Sequence, residues 1–200
     1  MSIILISSYL FLLVCALFLA GRSYKAGEEN DHTASMVISL SAAFIACAAA
    51  GNLLLQQTDQ DIQTLQRILD NLAYYAAIPL IASALLDNAW KFEWSKAAWG
   101  RWLLVLFALF ELCRRSDIGA LYSQVMAALS VAVILISVLR SDVSSLRIAG
   151  CAAAASLASA LFIYGPYSLI ADSIDPATYS VTLGVSLGLL SLAFTPKKSQ

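Results

Sequence analysis

The stretch Ser180-Val181-Thr182-Leu183-Gly184-Val185-Ser186-Leu187-Gly188-Leu189 decides which kind of fold this chain can form. It lies inside an apolar segment, residues 177–194, which is close to the length of about 20 residues that a helix needs to cross a bilayer. Gly184 and Gly188 stand four residues apart, so they share one helix face on which a neighbouring helix can approach closely. The segment therefore predicts a tightly packed membrane helix.

The composition extends this interpretation to the whole chain. Of 200 residues, 60% are hydrophobic and 12% are charged, whereas soluble domains carry about a quarter charged residues. Seven apolar segments use most of the length and leave only short loops. The sequence thus predicts an all-α fold, a single seven-transmembrane-helix domain over residues 1–200. The predicted spans are 3–20, 35–55, 68–86, 99–113, 118–139, 148–171 and 177–194.

The basic residues predict the orientation of the bundle. Nine of the twelve lie in the first, third and fifth loops and the C-terminal tail, and by the positive-inside rule these segments face the cytoplasm. The N-terminus is then outside. No basic residue precedes the first span, and Phe18 stands where signal cleavage needs a small residue, so we expect a retained helix. We expect an integral protein of the bacterial inner membrane.

Several classes of function are disfavoured by what the sequence lacks. The net charge of −1 and the absence of a basic run argue against nucleic acid as a partner. The single histidine, His32, lies in a polar loop, and the four cysteines have no C-x-x-C spacing, so we expect neither a metal site nor a haem. The expected partners are the lipid bilayer and either further copies of the chain or a larger membrane complex.

Two acids, Asp70 and Glu111, are predicted within spans, where a charge is costly and often functional. Asp70 has Arg67 three residues upstream on the same helix face, and Glu111 is followed by Arg114 and Arg115, at spacings that allow ion pairs. Each acid therefore has two interpretations, a functional carboxylate or a structural ion pair near a helix end.

Three other acids are expected nearer the membrane surface. Asp87 precedes a group of four tryptophans, which with nearby basic residues predicts an interfacial belt. Asp172 and Asp175 precede Pro176, where Asp-Pro indicates the start of a helix. A cation site at these last two acids is the alternative.

Aromatic residues cluster around two prolines that are predicted to lie within spans, Pro79 and Pro166. A proline kinks a helix, and the resulting opening can be lined by aromatic rings as a pocket for a flat apolar ligand; ordinary aromatic packing is the alternative. The cluster consists of Tyr74, Tyr75, Phe162, Tyr164 and Tyr167. No histidine or lysine lies in a predicted span, so a Ser-His or Ser-Lys dyad is not available.

Four of these segments together resemble the microbial rhodopsins. The third span carries Tyr74-Tyr75-Ala76-Ala77-Ile78-Pro79-Leu80, the sixth Phe162-Ile163-Tyr164-Gly165-Pro166, the seventh the stretch quoted first, and residues 107–111 are similar to a proteorhodopsin segment that ends in glutamate. The resemblance implies a seven-helix fold with an outside N-terminus.

The departures from this family concern its chemistry. The resemblance assigns the retinal-binding lysine to Gly184, the acid before it to Ser180 and the counterion acid to Ala73. Without a lysine in any span, a Schiff base to retinal is excluded, and no resident cofactor is expected.

The leading functional hypothesis is a non-enzymatic, opsin-like membrane protein that binds a small apolar ligand non-covalently or acts through partner helices. The candidate pocket residues are Tyr74, Pro79, Phe162, Tyr164, Pro166 and Gly184. One alternative is a structural or assembly subunit of an envelope complex. The other is a membrane enzyme or transporter that uses Asp70 and Glu111.

Overall fold

Seven α-helices follow one another along the part of the chain that the structure, a computed structural model, describes. These residues are 2–30, 32–55, 59–140, 144–166, 168–170 and 174–193. The predicted all-α fold is confirmed for them. The helices are α1 (Ile3–Asn30), α2 (Thr33–Leu54), α3 (Gln60–Trp90), α4 (Lys96–Arg115), α5 (Gly119–Leu139), α6 (residues 144–164) and α7 (Pro176–Ala193).

Five of these helices, α1, α2, α3, α5 and α6, are long and apolar enough to cross a membrane. This supports the prediction of an integral membrane protein, since such helices satisfy their own backbone hydrogen bonds inside lipid. The apolar part of α7, Pro176–Leu192, is shorter. Helix α4 has 20 residues, which include both basic and acidic side chains. It belongs neither to the five long apolar helices nor to the shorter apolar ones.

The spans predicted from the sequence leave residues 21–33 as a loop, and this prediction is wrong over most of that range because α1 continues to Asn30. Ser23 and Ala26 are buried there, and α1 packs along α2. A Cβ on Gly27 would lie 2.8 Å from Cγ of Met36, so the two helices meet closely at this end. Tertiary contact with α2 therefore extends the helix through a polar sequence.

The third helix begins earlier than predicted and contains a widened turn. It starts at Gln60 rather than at residue 68, and residues Leu72–Ala77 form a π-helical segment before Pro79. Pro79 has no N–H, and its ring would collide with the carbonyl of the preceding turn in a regular α-helix. The π-helical turn accommodates the proline without ending the helix.

Pro166 acts differently, and the prediction of a span that continues to residue 171 with a mid-span proline is wrong. The sixth helix ends in a second π-helical segment, Ala160–Tyr164, and Gly165 is extended with φ −74° and ψ 169°. A residue that precedes proline is disfavoured in the α-helical region. Pro166 is therefore a helix terminator and is exposed.

The helices form a closed ring, in which α1 packs against both α2 and α7. The third helix packs against α2, α4 and α5, and α6 joins α5 to α7. A Cβ on Gly184 would lie 2.9 Å from the ring of Phe11, and one on Gly188 would lie 3.8 Å from Sγ of Cys15. Since residue numbers rise together along this contact, α1 and α7 run parallel.

The contact between α5 and α6 provides a test of this packing. A Cβ on Gly150 would lie 2.3 Å from Cγ1 and 2.6 Å from Cγ2 of Val138. We expect Gly150→Ala to lower the free energy of unfolding by about 1–3 kcal/mol through overpacking, measured by thermal unfolding in detergent. Gly100→Ala is the control, because its Cβ would meet nothing within 4 Å.

Adding Val138→Ala to Gly150→Ala should restore part of the lost stability, because it removes both colliding methyl groups and leaves only the Cβ of residue 138, at 3.0 Å. An equal loss of stability in Gly150→Ala and Gly100→Ala would contradict the close approach of α5 and α6.

Candidate functional site

A small cavity lies beside the π-helical turn of α3, where α3, α5 and α6 meet. Its volume is about 10 Å³, which is near the space that one water molecule needs. Tyr74 and Pro79, two of the predicted pocket residues, both line it. The remaining lining residues come from α3, α5 and α6: Tyr75, Ile78, Ser123, Met126, Ala127, Ser130 and Leu161.

One wall of this cavity is an aromatic stack that the sequence did not predict. Tyr75 is buried, and its ring lies 3.7 Å from that of Phe110 on α4, centroid to centroid, with 23° between the planes. The hydroxyl of Ser123 on α5 donates to Tyr75 Oη at 3.3 Å. Phe110 is one of many apolar residues in its helix, and Ser123 is one of many serines in the predicted spans. Only tertiary contact therefore identifies them.

A second cavity of about 10 Å³ lies between α3, α5, α6 and α7. Ile78, Ile134, Leu183 and Leu187 are among its mostly aliphatic lining residues. An apolar cavity of this size offers too few polar partners to hold water. The interior around the two cavities is therefore tightly packed.

The other predicted pocket residues are distributed over different surfaces. Phe162 and Tyr164 lie in the π-helical end of α6 and are half-buried, while Pro166 is exposed. Gly184 faces Phe11 and Leu12 of α1, so it is not part of the cavity beside Tyr74. Tyr167, which was grouped with them, lies outside the described residues. The structure thus joins Tyr74 and Pro79 and separates Gly184 and Pro166 from them.

Asp70 is held by α2. Asn52 Nδ2 donates to Asp70 Oδ1 at 2.7 Å and to the carbonyl of Ala48 at 3.0 Å, and Gln66 Nε2 donates to Asn52 Oδ1 at 2.8 Å. Among the described residues the ion pairs are those of Glu111, so the predicted pair between Asp70 and Arg67 is wrong. Asp70 is part of an amide–carboxylate network that joins α2 to α3.

Two tyrosines on other helices, Tyr9 of α1 and Tyr179 of α7, belong to the electrostatic surroundings of Asp70. Ser180, the position that the resemblance assigns to an acid, is fully buried and donates to the Pro176 carbonyl at 2.8 Å. The sequence gives no sign of this cluster, because its members come from three helices.

Glu111 forms the ion pairs that its spacing predicts. Its carboxylate accepts from Arg114 Nε and Nη2 at 2.9 and 2.8 Å and from Arg115 Nε at 2.9 Å. The predicted pairing is confirmed. All three side chains lie at the partly exposed C-terminal end of α4, where this arrangement stabilises the end of the helix.

The other acids considered in the sequence analysis are Asp87, Asp172 and Asp175, and those that the structure describes lie at helix ends. Asp87 is buried, with 4% of its surface exposed, and accepts a hydrogen bond from the Trp94 backbone N–H at 3.3 Å. Asp175 caps α7 by accepting from the backbone N–H groups of Ala177 and Thr178, at 3.1 and 3.2 Å, and from the Thr178 hydroxyl. Asp172 lies outside the described residues, which contain no set of three His, Cys, Asp or Glu side chains suited to a metal.

Comparison of the chain with protein-family models, with curated proteins and with solved structures gives no match. Its function therefore has to be inferred from the geometry above.

The network around Asp70 can be tested by exchanging its two partners. Asn52→Asp alone places two carboxylates where a 2.7 Å hydrogen bond now lies, and we expect it to cost about 1–3 kcal/mol of stability. The double variant Asn52→Asp with Asp70→Asn keeps one amide and one carboxylate. It should therefore recover at least about 1 kcal/mol, measured as thermal unfolding in detergent. Additive losses in the double variant would exclude direct coupling.

The cap of α7 predicts a dependence of stability on pH. The Thr178 hydroxyl, helped by two backbone N–H groups, holds the pKa of Asp175 below its usual range. A carboxylate with a lowered pKa stabilises the fold above its unfolded pKa of about 3.9, and this stability is lost as pH falls through the folded pKa. The melting temperature of Asp175→Ala should therefore lie below that of the wild type at neutral pH and approach it in acid.

Asp175→Asn is the matched variant, because its single amide oxygen can still accept from the backbone at the start of α7 but does not titrate. A gap between wild type and Asp175→Ala that stays constant from neutral to acidic pH would contradict this role for the Asp175 carboxylate.

Proposed function

We propose that this chain is an opsin-like membrane protein of seven spans that binds a small, flat, apolar ligand non-covalently beside the π-helical turn of α3. Its N-terminus is outside and its C-terminus lies in the cytoplasm of a bacterial inner membrane. The observation that carries the proposal is the junction at which two proline-linked π-helical segments, in α3 and α6, contribute residues to one cavity.

The arrangement of the helices supports the seven-span topology. Helices α1 and α7 run parallel, as they must when six crossings turn the chain back and forth between them. The closed ring, with α1 next to α7, is also consistent with the resemblance to the microbial rhodopsins. Nine of the twelve basic residues then lie on the cytoplasmic side, in agreement with the positive-inside rule.

The chemistry of the junction supports an apolar ligand that carries a single polar group. Tyr75, Phe110 and Met126 offer aromatic and thioether surface, whereas Ser123 and Ser130 offer hydroxyls that can orient one polar atom. Mostly apolar walls with a few placed polar groups are typical of small-molecule sites. π-Helical turns also occur frequently at functional sites.

The ligand must enter by displacing side chains, since the cavity holds only about 10 Å³. In this closed form the ring of Tyr75 is stacked on Phe110. Rotation of aromatic side chains next to the widened turn of α3 is the movement that would enlarge the cavity.

A structural or assembly subunit is the second candidate, and the tight interior favours it. The two cavities hold only about 10 Å³ each, and a bundle that serves only to pack against partner helices needs no larger internal space. The proposal that Asp70 and Glu111 form one transport or catalytic site receives less support. Glu111 is neutralised by arginines of its own helix, whereas Asp70 is bonded to α2.

Binding of retinol in nanodiscs tests the proposed ligand site, since retinol is flat and apolar and has no aldehyde. We expect saturable binding beyond that of empty nanodiscs. Ala127→Leu fills the cavity and should weaken binding at least about ten-fold, or 1.4 kcal/mol. Ala128→Leu is the control, because Ala128 is the exposed neighbour. Equal effects of the two variants, or no saturable binding by the wild type, would favour the structural subunit.

Retinal itself tests the expected absence of a Schiff base. After borohydride treatment of retinal-loaded protein, peptides from the spans should keep their unmodified mass. Hydroxylamine should not bleach a visible band. A hydroxylamine-sensitive band would overturn the proposal of non-covalent binding.

A further inference from the structure

All four tryptophans of the chain lie in or beside the turn that joins α3 to α4. We call residues 90–102 the Trp turn; its tryptophans are Trp90, Trp94, Trp99 and Trp102. The rings of Trp94 and Trp99 lie 5.0 Å apart, and Trp102 Nε1 donates to Ser83 Oγ at 3.1 Å. Phe92 and Trp94 are exposed at the same turn. It presents the amphipathic aromatic surface that is typical of the boundary between lipid and water.

Positive charge accumulates at this turn without being neutralised. Lys91, Lys96 and Arg101 are exposed, and the guanidinium of Arg140 at the end of α5 lies 4.8 Å from the ring centre of Trp90. In the described part of the chain, the ion pairs within 4 Å all involve Glu111. The cations of the Trp turn therefore differ from Arg114 and Arg115, which Glu111 neutralises at the other end of α4.

The two acids of the Trp turn region do not balance these cations. Asp87 is buried and its Oδ1 accepts from the Trp94 backbone N–H, which leaves it inside the turn. Glu93 is exposed beside Lys91 but makes no ion pair with a described residue. Among the described residues of this region, the four cations Lys91, Lys96, Arg101 and Arg140 stand against Asp87 and Glu93, so positive charge is in excess there and an anion from outside the chain can serve as counterion.

An unsatisfied donor gives this surface a second, independent feature. Trp99 is only 4% exposed, and within the described residues its Nε1–H has no hydrogen-bond acceptor. The indole N–H is a donor only, and leaving a buried donor without an acceptor costs stability. The Nε1 atom is itself buried, so an oxygen of a docked group can supply the missing acceptor only when the side chains that cover this atom move.

We propose that the Trp turn binds the headgroup of an anionic phospholipid. Lys91 and Arg140 hold its phosphate, while Trp99 donates to an oxygen of the phosphate or the adjoining ester. Phe92 and Trp94 lie against the acyl chains, which distinguishes a lipid from a soluble anion. Basic residues beside a membrane helix attract anionic lipids in this way. The proposal requires an integral membrane protein but neither the apolar ligand nor a particular orientation.

Quenching of tryptophan fluorescence by brominated lipids tests this directly, because all tryptophan emission comes from the Trp turn. The full chain is reconstituted in phosphatidylcholine vesicles with either dibrominated phosphatidylglycerol or dibrominated phosphatidylcholine at equal mole fraction. We expect the brominated phosphatidylglycerol to quench about two-fold more strongly, since the anionic lipid is enriched at the basic site. Equal quenching by the two lipids would overturn the proposal.

Two double variants that remove the same number of charges separate a site from general attraction. Lys91→Gln with Arg140→Gln should abolish the preference for phosphatidylglycerol. Arg114→Gln with Arg115→Gln, at the other end of α4, should retain it. A similar loss in both would mean that net charge alone attracts the lipid, and the proposal would be wrong. If the first variant does not insert, the wild-type comparison still decides.

Competition with a soluble anion distinguishes a headgroup from free phosphate. Inorganic phosphate, added at the same ionic strength as a chloride control, should leave the preference for phosphatidylglycerol unchanged. If phosphate alone removes the preference, the Trp turn binds a free anion and the lipid proposal fails.

Discussion

The bundle depends on the contact by which α7 closes the ring against α1. In lipid there is no hydrophobic force between helices, so association relies on close packing and on hydrogen bonds between helices. Gly184 allows this contact, because any Cβ there would lie 2.9 Å from the Phe11 ring and 3.3 Å from Cα of Leu12. On its other side α7 is tied to α6, where Ser186 donates to the Ala153 carbonyl at 2.9 Å and Ser156 to the Thr182 carbonyl at 2.7 Å.

The same small polar residues keep the interior closed. The hydroxyls of Ser41 and Ser137 bond to carbonyls of the preceding turn of their own helices, so burial leaves them satisfied. Small side chains let the helices approach, and large ones such as Ile134 and Leu187 fill the centre. Within the described helices, irregular turns are confined to the proline-linked π-helical segments, which is why the proposed ligand site is placed between them.

Charge is distributed unevenly over the molecule. Glu111 is surrounded by the arginines of its own helix, and Asp70 is bonded to Asn52, so both acids are accounted for within the protein. The basic residues of the Trp turn have no such partner among the described residues. This difference underlies the two proposals, which assign a neutral ligand or packing to the interior and an anionic lipid to the Trp turn.

The sequence by itself determined the all-α fold and its apolar spans, because a backbone in lipid must satisfy its own hydrogen bonds and helices do so locally. It also determined the ion pairs of Glu111, since residues three and four apart on a helix are neighbours in any tertiary structure. The absence of a lysine from the predicted spans is equally a property of the sequence, and the expectation that retinal is not bound covalently rests on it. The resemblance to the microbial rhodopsins stays a prediction.

Tertiary structure decided the rest. The two prolines look alike in sequence, yet α3 continues past Pro79, where Tyr75 of the widened turn is packed against Phe110, while α6 ends before Pro166 at an extended glycine. The partner of Asp70 lies 18 residues away on another helix, and Gly184 faces α1 because of how the ring closes. Such features depend on which helix faces meet, and the local pattern of an apolar helix contains little information about that, since nearly all of its faces are apolar.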